Sequence, residues 1–310
     1  MRVFLLKTIM LTLVLFGISF GVDYLIEKGI KTSSYREISK WTEVIKGGID
    51  SEILVVGSSR ALVHFDPRLI EENTGMSCYN LGLDGSKYES QSKVLVLYLS
   101  HNKKPKTLIW SIDLSSFNAT EGIYRFEQFL PFWDEPDVKS ILKLNKDQNQ
   151  DYFNIPIAKY SNNPALKYRG LLKEFGINVA EPKLYKGYRE SNQEWDGKFD
   201  EFKFKSSGIY KESLDMRIFN DFLNSIIDIQ KSEIEVRWII TPYYSEAIDM
   251  ISNQSQIRDL FKNSADSLNI SLIDMAKSTM SRKKEFFYNG SHMNTKGVNE
   301  FNKLIINEIN

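Results

Sequence analysis

Ile53-Leu54-Val55-Val56-Gly57-Ser58-Ser59-Arg60 decides the fold. Four apolar residues in succession leave no face for solvent, the pattern of a strand covered on both sides in a parallel sheet. Gly57 breaks the run, and the serine pair behind it opens a helix. Outward from there, Cys78-Tyr79-Asn80-Leu81 reads as a second short strand. A helix follows from about Ser86 to Ser100, with Val94, Leu95, Leu97 and Tyr98 apolar, and a basic loop leads to a third strand, Leu108-Ile109-Trp110-Ser111-Ile112. After a long interruption come an amphipathic helix (Leu214, Ile218, Phe222, Ile226) and a strand from Val236 to Ile240 ended by Pro242. A helix from about Gln256 to Ser267, a fifth strand around Ile270 to Ile273, and a last helix from Asn294 or Thr295 complete the series. Val298, Phe301, Ile305 and Ile309 mark one face of that last helix. Strands alternating with helices predict an α/β fold with an open parallel sheet of five strands.

The interruption, residues 118–212, is polar, rich in aromatics such as Phe126, Phe129, Trp133, Tyr160 and Trp195, and punctuated by prolines from Pro131 to Pro182. A structureless loop of that length does not suit a compact domain. It is read as an inserted subdomain capping the carboxyl edge of the sheet. Its aromatics could stack on sugar rings, but most are expected simply to pack the insertion.

Balanced charge, with 40 basic and 40 acidic residues in 310, gives no electrostatic pull towards nucleic acid. The single cysteine, Cys78, excludes a disulfide framework. No histidine pair or tight carboxylate cluster has metal-ligand spacing, so neither a metal nor a cofactor is expected. At the amino terminus, Arg2 and Lys7 precede an apolar run from Thr8 to Val22. With Val3 to Leu6 included, and Lys7 snorkelling, the run is long enough to span a bilayer. The basic residues ahead of it place the amino terminus in the cytoplasm and the remainder outside. Two alternatives are cleavage near Ser19-Phe20-Gly21 and a buried core helix; the retained anchor is preferred, because the run is apolar all round. The expected organisation is an anchor over residues 1–23, a spacer over 24–50, and a single α/β domain over 51–310 containing the cap.

Ser59 stands where a buried strand turns into a helix, so its hydroxyl is presented at the carboxyl edge of the sheet beside free helix N–H groups. Such a serine becomes a nucleophile when a base adjoins it; otherwise Ser58 and Ser59 only cap the helix. A histidine base must be His64, His101 or His292, the only three present. His64 lies too near Ser59 in its own helix, and His101 ends a helix beside a basic loop. His292 occupies a loop ahead of the final helix, a suitable place for a catalytic imidazole and equally for an ordinary surface histidine.

Together these segments resemble the SGNH (GDSL-like) hydrolases. Gly57-Ser58-Ser59 is similar to their Gly-Asp-Ser block, with Ser58 where Asp is usual. Tyr79-Asn80-Leu81-Gly82-Leu83-Asp84-Gly85-Ser86 resembles the second block, and Asn289-Gly290-Ser291-His292 the closing Asp-x-x-His block. With the five strands, the likeness takes in about two-thirds of the chain. It implies a flavodoxin-like three-layer fold, Ser59 as nucleophile, His292 as base, and an oxyanion hole from the N–H groups of Ser59 and Gly85, with Gly82 the alternative. Two departures stand out. The third block reads Trp110-Ser111-Ile112-Asp113, without its asparagine, and Asn289 replaces the acid. Asparagine can hold the ring but cannot stabilise an imidazolium by charge; the equivalent change in a serine protease costs about four orders of magnitude in turnover. A Ser-His dyad, an acid from elsewhere (Asp274 or Asp113), and an inactive site are the three explanations left.

The degenerate blocks resemble a membrane-anchored branch of the family that moves acyl groups onto cell-surface polymers. What this implies is a serine esterase or O-acyltransferase acting outside the cytoplasm on an acylated envelope glycan. The competing readings are a non-catalytic glycan-binding or assembly protein on the same scaffold, and a structural partner of an integral membrane acyltransferase.

Overall fold

The structure is a computed structural model, and it describes residues 1–310 apart from 36, 120, 121, 147–150, 178, 180–183, 206, 207 and 310. Pro182 therefore lies outside the described residues. Two compact units emerge, one from Met1–Lys46 with Arg125–Lys183 and one from Gly47–Tyr124 with Leu184–Asn310.

The larger unit holds the sheet. Its strands are β1 (Ile53–Gly57), β2 (Cys78–Asn80), β3 (Thr107–Ser111), β4 (Glu235–Ile240) and β5 (Ser271–Asp274). They pair in the order β2-β1-β3-β4-β5 and every pair is parallel. This is the open, doubly wound order of flavodoxin-like folds. The expected fold class is therefore present. Every residue of β1, β2 and β3 is buried, which is why the apolar runs showed no alternation. Burial of a side chain such as Leu54 or Val56 is worth roughly 2 kcal/mol. Register decides which segments can meet. Gly57 lies opposite Ser111, Ser111 opposite Ile239, and Ile240 opposite Asp274. The segments that leave β1, β3 and β4 thus emerge side by side at one edge. The final helix, Thr295–Ile309, buries Val298, Phe301, Ile305 and Ile309 as its spacing predicts. Residues 184–212, expected within the cap, belong to this unit.

The smaller unit is built around a helix from Arg2 to Lys31. Among the described residues this is the helix long and apolar enough to cross a membrane. At 1.5 Å per residue it is about 45 Å long, against about 30 Å for a hydrocarbon core. It does not stop at Asp23, so its last two turns project beyond the apolar run. Residues 125–183 cluster with it. The helix Pro164–Glu174 packs on it, and the Trp41 indole, from the helix Ile38–Lys46, is buried against Phe129 and donates to Gln128 Oε1 at 2.7 Å.

Candidate active site

Gly57 ends β1 with a φ of +155°. A Cβ there would lie 2.7 Å from the Ser111 carbonyl oxygen and 2.8 Å from Ala61 Cβ, so only glycine lets the chain turn this tightly into the helix Ser59–His64. The two serines then divide the work. Ser58 is the helix N-cap, its Oγ accepting from the Arg60 N–H at 3.1 Å. Ser59, the first helical residue, keeps its hydroxyl free of capping. Its Oγ lies 2.8 Å from His292 Nε2.

A short Asx-type turn shapes the His292 loop. Asn289 Oδ1 accepts from the backbone N–H of Ser291 at 3.0 Å and of His292 at 2.9 Å, and it faces His292 Nδ1 at 3.1 Å. Two backbone donors fix that atom as oxygen rather than amide nitrogen. An oxygen without a proton can only accept, so Nδ1 carries the hydrogen and Nε2 is left to accept from the Ser59 hydroxyl. Ser291 Oγ sits 3.2 Å from the same Nδ1, and the Tyr288 ring stacks on the imidazole with 8° between planes. Burial, then the positive charge of Arg60, pushes the His292 pKa down to about 4. The ring is thus neutral over the ordinary pH range.

Among the described residues, none of the His292 hydrogen bonds goes to a carboxylate. Asp274, one alternative acid, is ion-paired to Arg258 at 2.6 Å and caps the Ala276 N–H. Asp113, the other, accepts from Ser58 Oγ and pairs with Arg60 Nη1 at 3.4 Å. Neither faces the imidazole; its far nitrogen belongs to Asn289 and Ser291.

Asn80 explains how the second segment is held. Its buried amide donates to the carbonyls of Ala61 and Phe65, both at 2.8 Å, and its Oδ1 accepts from Gly82 N–H at 2.9 Å. The loop that follows β2 is tied in this way to the helix carrying Ser59. Gly82 spends its N–H inside the turn. Gly85, at φ +63°, has no acceptor for its own among the described residues, and neither has Ser59. Both line a cavity of about 260 Å3 together with Arg60, Asp113, Tyr243 and His292.

Two residues here were given no role from sequence. Arg60 is buried at 3% exposure, its guanidinium 3.3 Å from the centre of the Tyr243 ring. Nη2 donates to the Thr241 carbonyl at 2.5 Å, to Thr241 Oγ1 at 2.7 Å and to the Pro242 carbonyl at 3.1 Å. His64, set aside as a base, is fully buried and supports the His292 loop from beneath. Its Nε2 accepts from Met293 N–H at 2.9 Å, so its Nδ1 donates to Thr241 Oγ1 at 2.9 Å. Burial holds its pKa well below the usual histidine range, helped by Arg60 and His292. The signal available in sequence was Ala61-Leu62-Val63, which leaves the helix no wet face and so requires partners for any charge it carries. His101, the third histidine, ends the helix Tyr88–His101.

Comparison with known proteins adds little to this geometry. No protein-family model matches the chain, and no curated protein does. Among solved structures it is similar to the crystal structure of a "putative acylhydrolase" from Bacteroides fragilis, at 12% identity and a TM-score of 0.40. That alignment covers 88% of this chain and 95% of the other.

Proposed function

We propose that the chain is a membrane-anchored serine esterase or O-acyltransferase of the SGNH type, working on the periplasmic or cell-surface side on an acylated envelope glycan. The single observation that carries this reading is the relay Ser59 Oγ–His292–Asn289, with 2.8 Å on one side of the ring and 3.1 Å on the other. Ser59 Oγ attacks the ester carbonyl while its proton passes to His292 Nε2. The carbonyl oxygen becomes an oxyanion received by the N–H groups of Ser59 and Gly85, and the buried Arg60 charge favours it electrostatically. Collapse breaks the bond to the leaving alcohol, which takes the proton from Nε2 and leaves an acyl ester on Ser59. Water, or a sugar hydroxyl, then repeats the sequence in reverse. Asn289 fixes the tautomer; it adds no charge.

Hydrolysis of p-nitrophenyl acetate and labelling by a fluorophosphonate, both with the full chain in detergent, test the proposal. Wild type should react, and Ser59→Ala and His292→Ala should not. Equal labelling of wild type and Ser59→Ala would reject the serine mechanism. The uncharged Asn289 and the missing third-block asparagine favour a second reading, a glycan-binding or assembly protein without turnover. It predicts full polysaccharide affinity, and no labelling, in wild type and in the Ser59→Ala, His292→Ala double variant alike.

A further inference from the structure

The smaller unit is fastened to the helix Arg2–Lys31 just where the apolar run gives out. Asp23, the first charge after that run, accepts from the Ile157 N–H at 2.8 Å. Lys159, buried at 4% exposure, forms ion pairs with Asp23 at 3.3 Å and with Glu27. Lys28 Nζ is bonded to Glu174 Oε2 at 2.5 Å. One residue past Lys28 the backbones of Gly29 and Gly170 approach so closely that a Cβ on Gly29 would lie 1.9 Å from the Gly170 carbonyl oxygen. The attachment therefore sets which residues lie beside the helix turns from Asp23 to Gly29.

Those residues are unusual for a surface in water. Ile155, two positions before the Asp23 contact, is 54% exposed, and Phe175, next to Glu174, is 75% exposed. Ile177 is 53% exposed, and Tyr24, on the helix itself, 66%. Single exposed apolar side chains are ordinary. Several large ones, held near ion pairs around the end of an apolar helix, match the band of aromatic and aliphatic residues found where proteins meet headgroups.

We propose that Tyr24, Ile155, Phe175 and Ile177 form a collar that seats in the headgroup–acyl boundary of the bilayer. The partner is a lipid surface, and the collar sets the depth of the helix and the stance of the smaller unit. This rests on the reading of the apolar run as a membrane span. Side chains of this kind bury about 5–10 Å into that boundary.

The test uses the full chain in vesicles of phosphatidylcholine and phosphatidylglycerol in equal amounts. The one native thiol, Cys78, is buried, so introduced cysteines label selectively with an environment-sensitive NBD probe. Probes go at Ile155→Cys, Phe175→Cys and Ile177→Cys, with Leu13→Cys inside the run. Lys46→Cys is the water-side control, since Thr42 in the same short helix is bonded to the Lys31 carbonyl at the far end of the long one. Doxyl-labelled lipid should about halve the emission of the three collar probes and of Leu13 while sparing Lys46. Quenching at Leu13 alone overturns the collar and spares the span; no quenching at Leu13 overturns both. Quenching at Lys46 equal to that at Phe175 removes the distinction the collar requires. A blue shift at Phe175 that grows with protein concentration, without lipid quenching, would assign the patch to a second copy of the chain and overturn the proposal.

Discussion

Replacing Asn289 by Asp should restore the missing charge and move the pH profile of the site. The substitution keeps both backbone hydrogen bonds to the side-chain oxygen and puts a carboxylate 3.1 Å from His292 Nδ1. At that distance and an effective dielectric of about 20, carboxylate and imidazolium attract by about 5 kcal/mol. That is about four pKa units, of which the desolvation of a part-buried carboxylate should return roughly half. The imidazole therefore rises from about 4 in the wild type to about 6 in the variant. The assay is the second-order rate of fluorophosphonate inactivation between about pH 4 and 8, which reads Ser59 without needing the natural substrate. At pH 5 the wild type should keep about nine-tenths of its plateau rate and Asn289→Asp about one-tenth. The variant's plateau itself should be at least about tenfold higher, because the imidazolium formed in the transition state gains a counter-charge. Identical limbs in the two proteins would refute His292 as the base. A wild-type limb near 6.5 would refute the argument that burial and Arg60 keep the ring neutral.

Three further outcomes rest on the same geometry. Both His64 and His292 have folded pKa values depressed below that of an unfolded histidine, so the unfolded chain takes up protons first as pH falls below about 6.5. Stability should fall with pH from there towards about 4 with a slope approaching about 2.7 kcal/mol per unit; a urea-midpoint slope unchanged in His64→Gln would contradict this. Asp113→Asn should cost about 3–5 kcal/mol, because it strands the buried Arg60 charge, while Asp274→Asn, whose Arg258 pair is nearer solvent, should cost less than about 1 kcal/mol; equal losses in denaturation would refute the distinction. Gly85→Ala at φ +63° would bring a Cβ within 2.7 Å of Tyr124 Cβ and displace the proposed oxyanion donor, so inactivation should slow about 100-fold with circular dichroism unchanged, and a wild-type rate would remove Gly85 from the site.

The sheet was legible because its strands are too buried to alternate: Ile53–Val56 and Leu108–Trp110 leave no period that any other element could use. Ser59 was legible as a candidate because it stands where β1 ends at the carboxyl edge of the sheet, and His292 because few histidines compete for the role and it lies in a loop ahead of the last helix. What escaped is chemistry distributed among several strand ends. Arg60 reads locally as an ordinary charged helix residue. Its burial depends on Thr241 and Pro242 after β4, Tyr243 beyond them and Asp113 after β3, and no local window contains those positions. The same distribution accounts for Asp113. As a single carboxylate near a strand end it was a reasonable stand-in for the acid, yet once Arg60 enters the pocket wall it is needed there, beside Ser58. A second consequence is electrostatic. With Arg60 in the wall and Asn289 behind the ring, the site disfavours an imidazolium at rest, while on the proposed mechanism the N–H groups of Ser59 and Gly85 favour negative charge at the carbonyl oxygen. Acylation by such a site depends more on oxyanion stabilisation than on a strongly basic histidine, a balance that the Asn289→Asp and Gly85→Ala variants weigh from opposite ends.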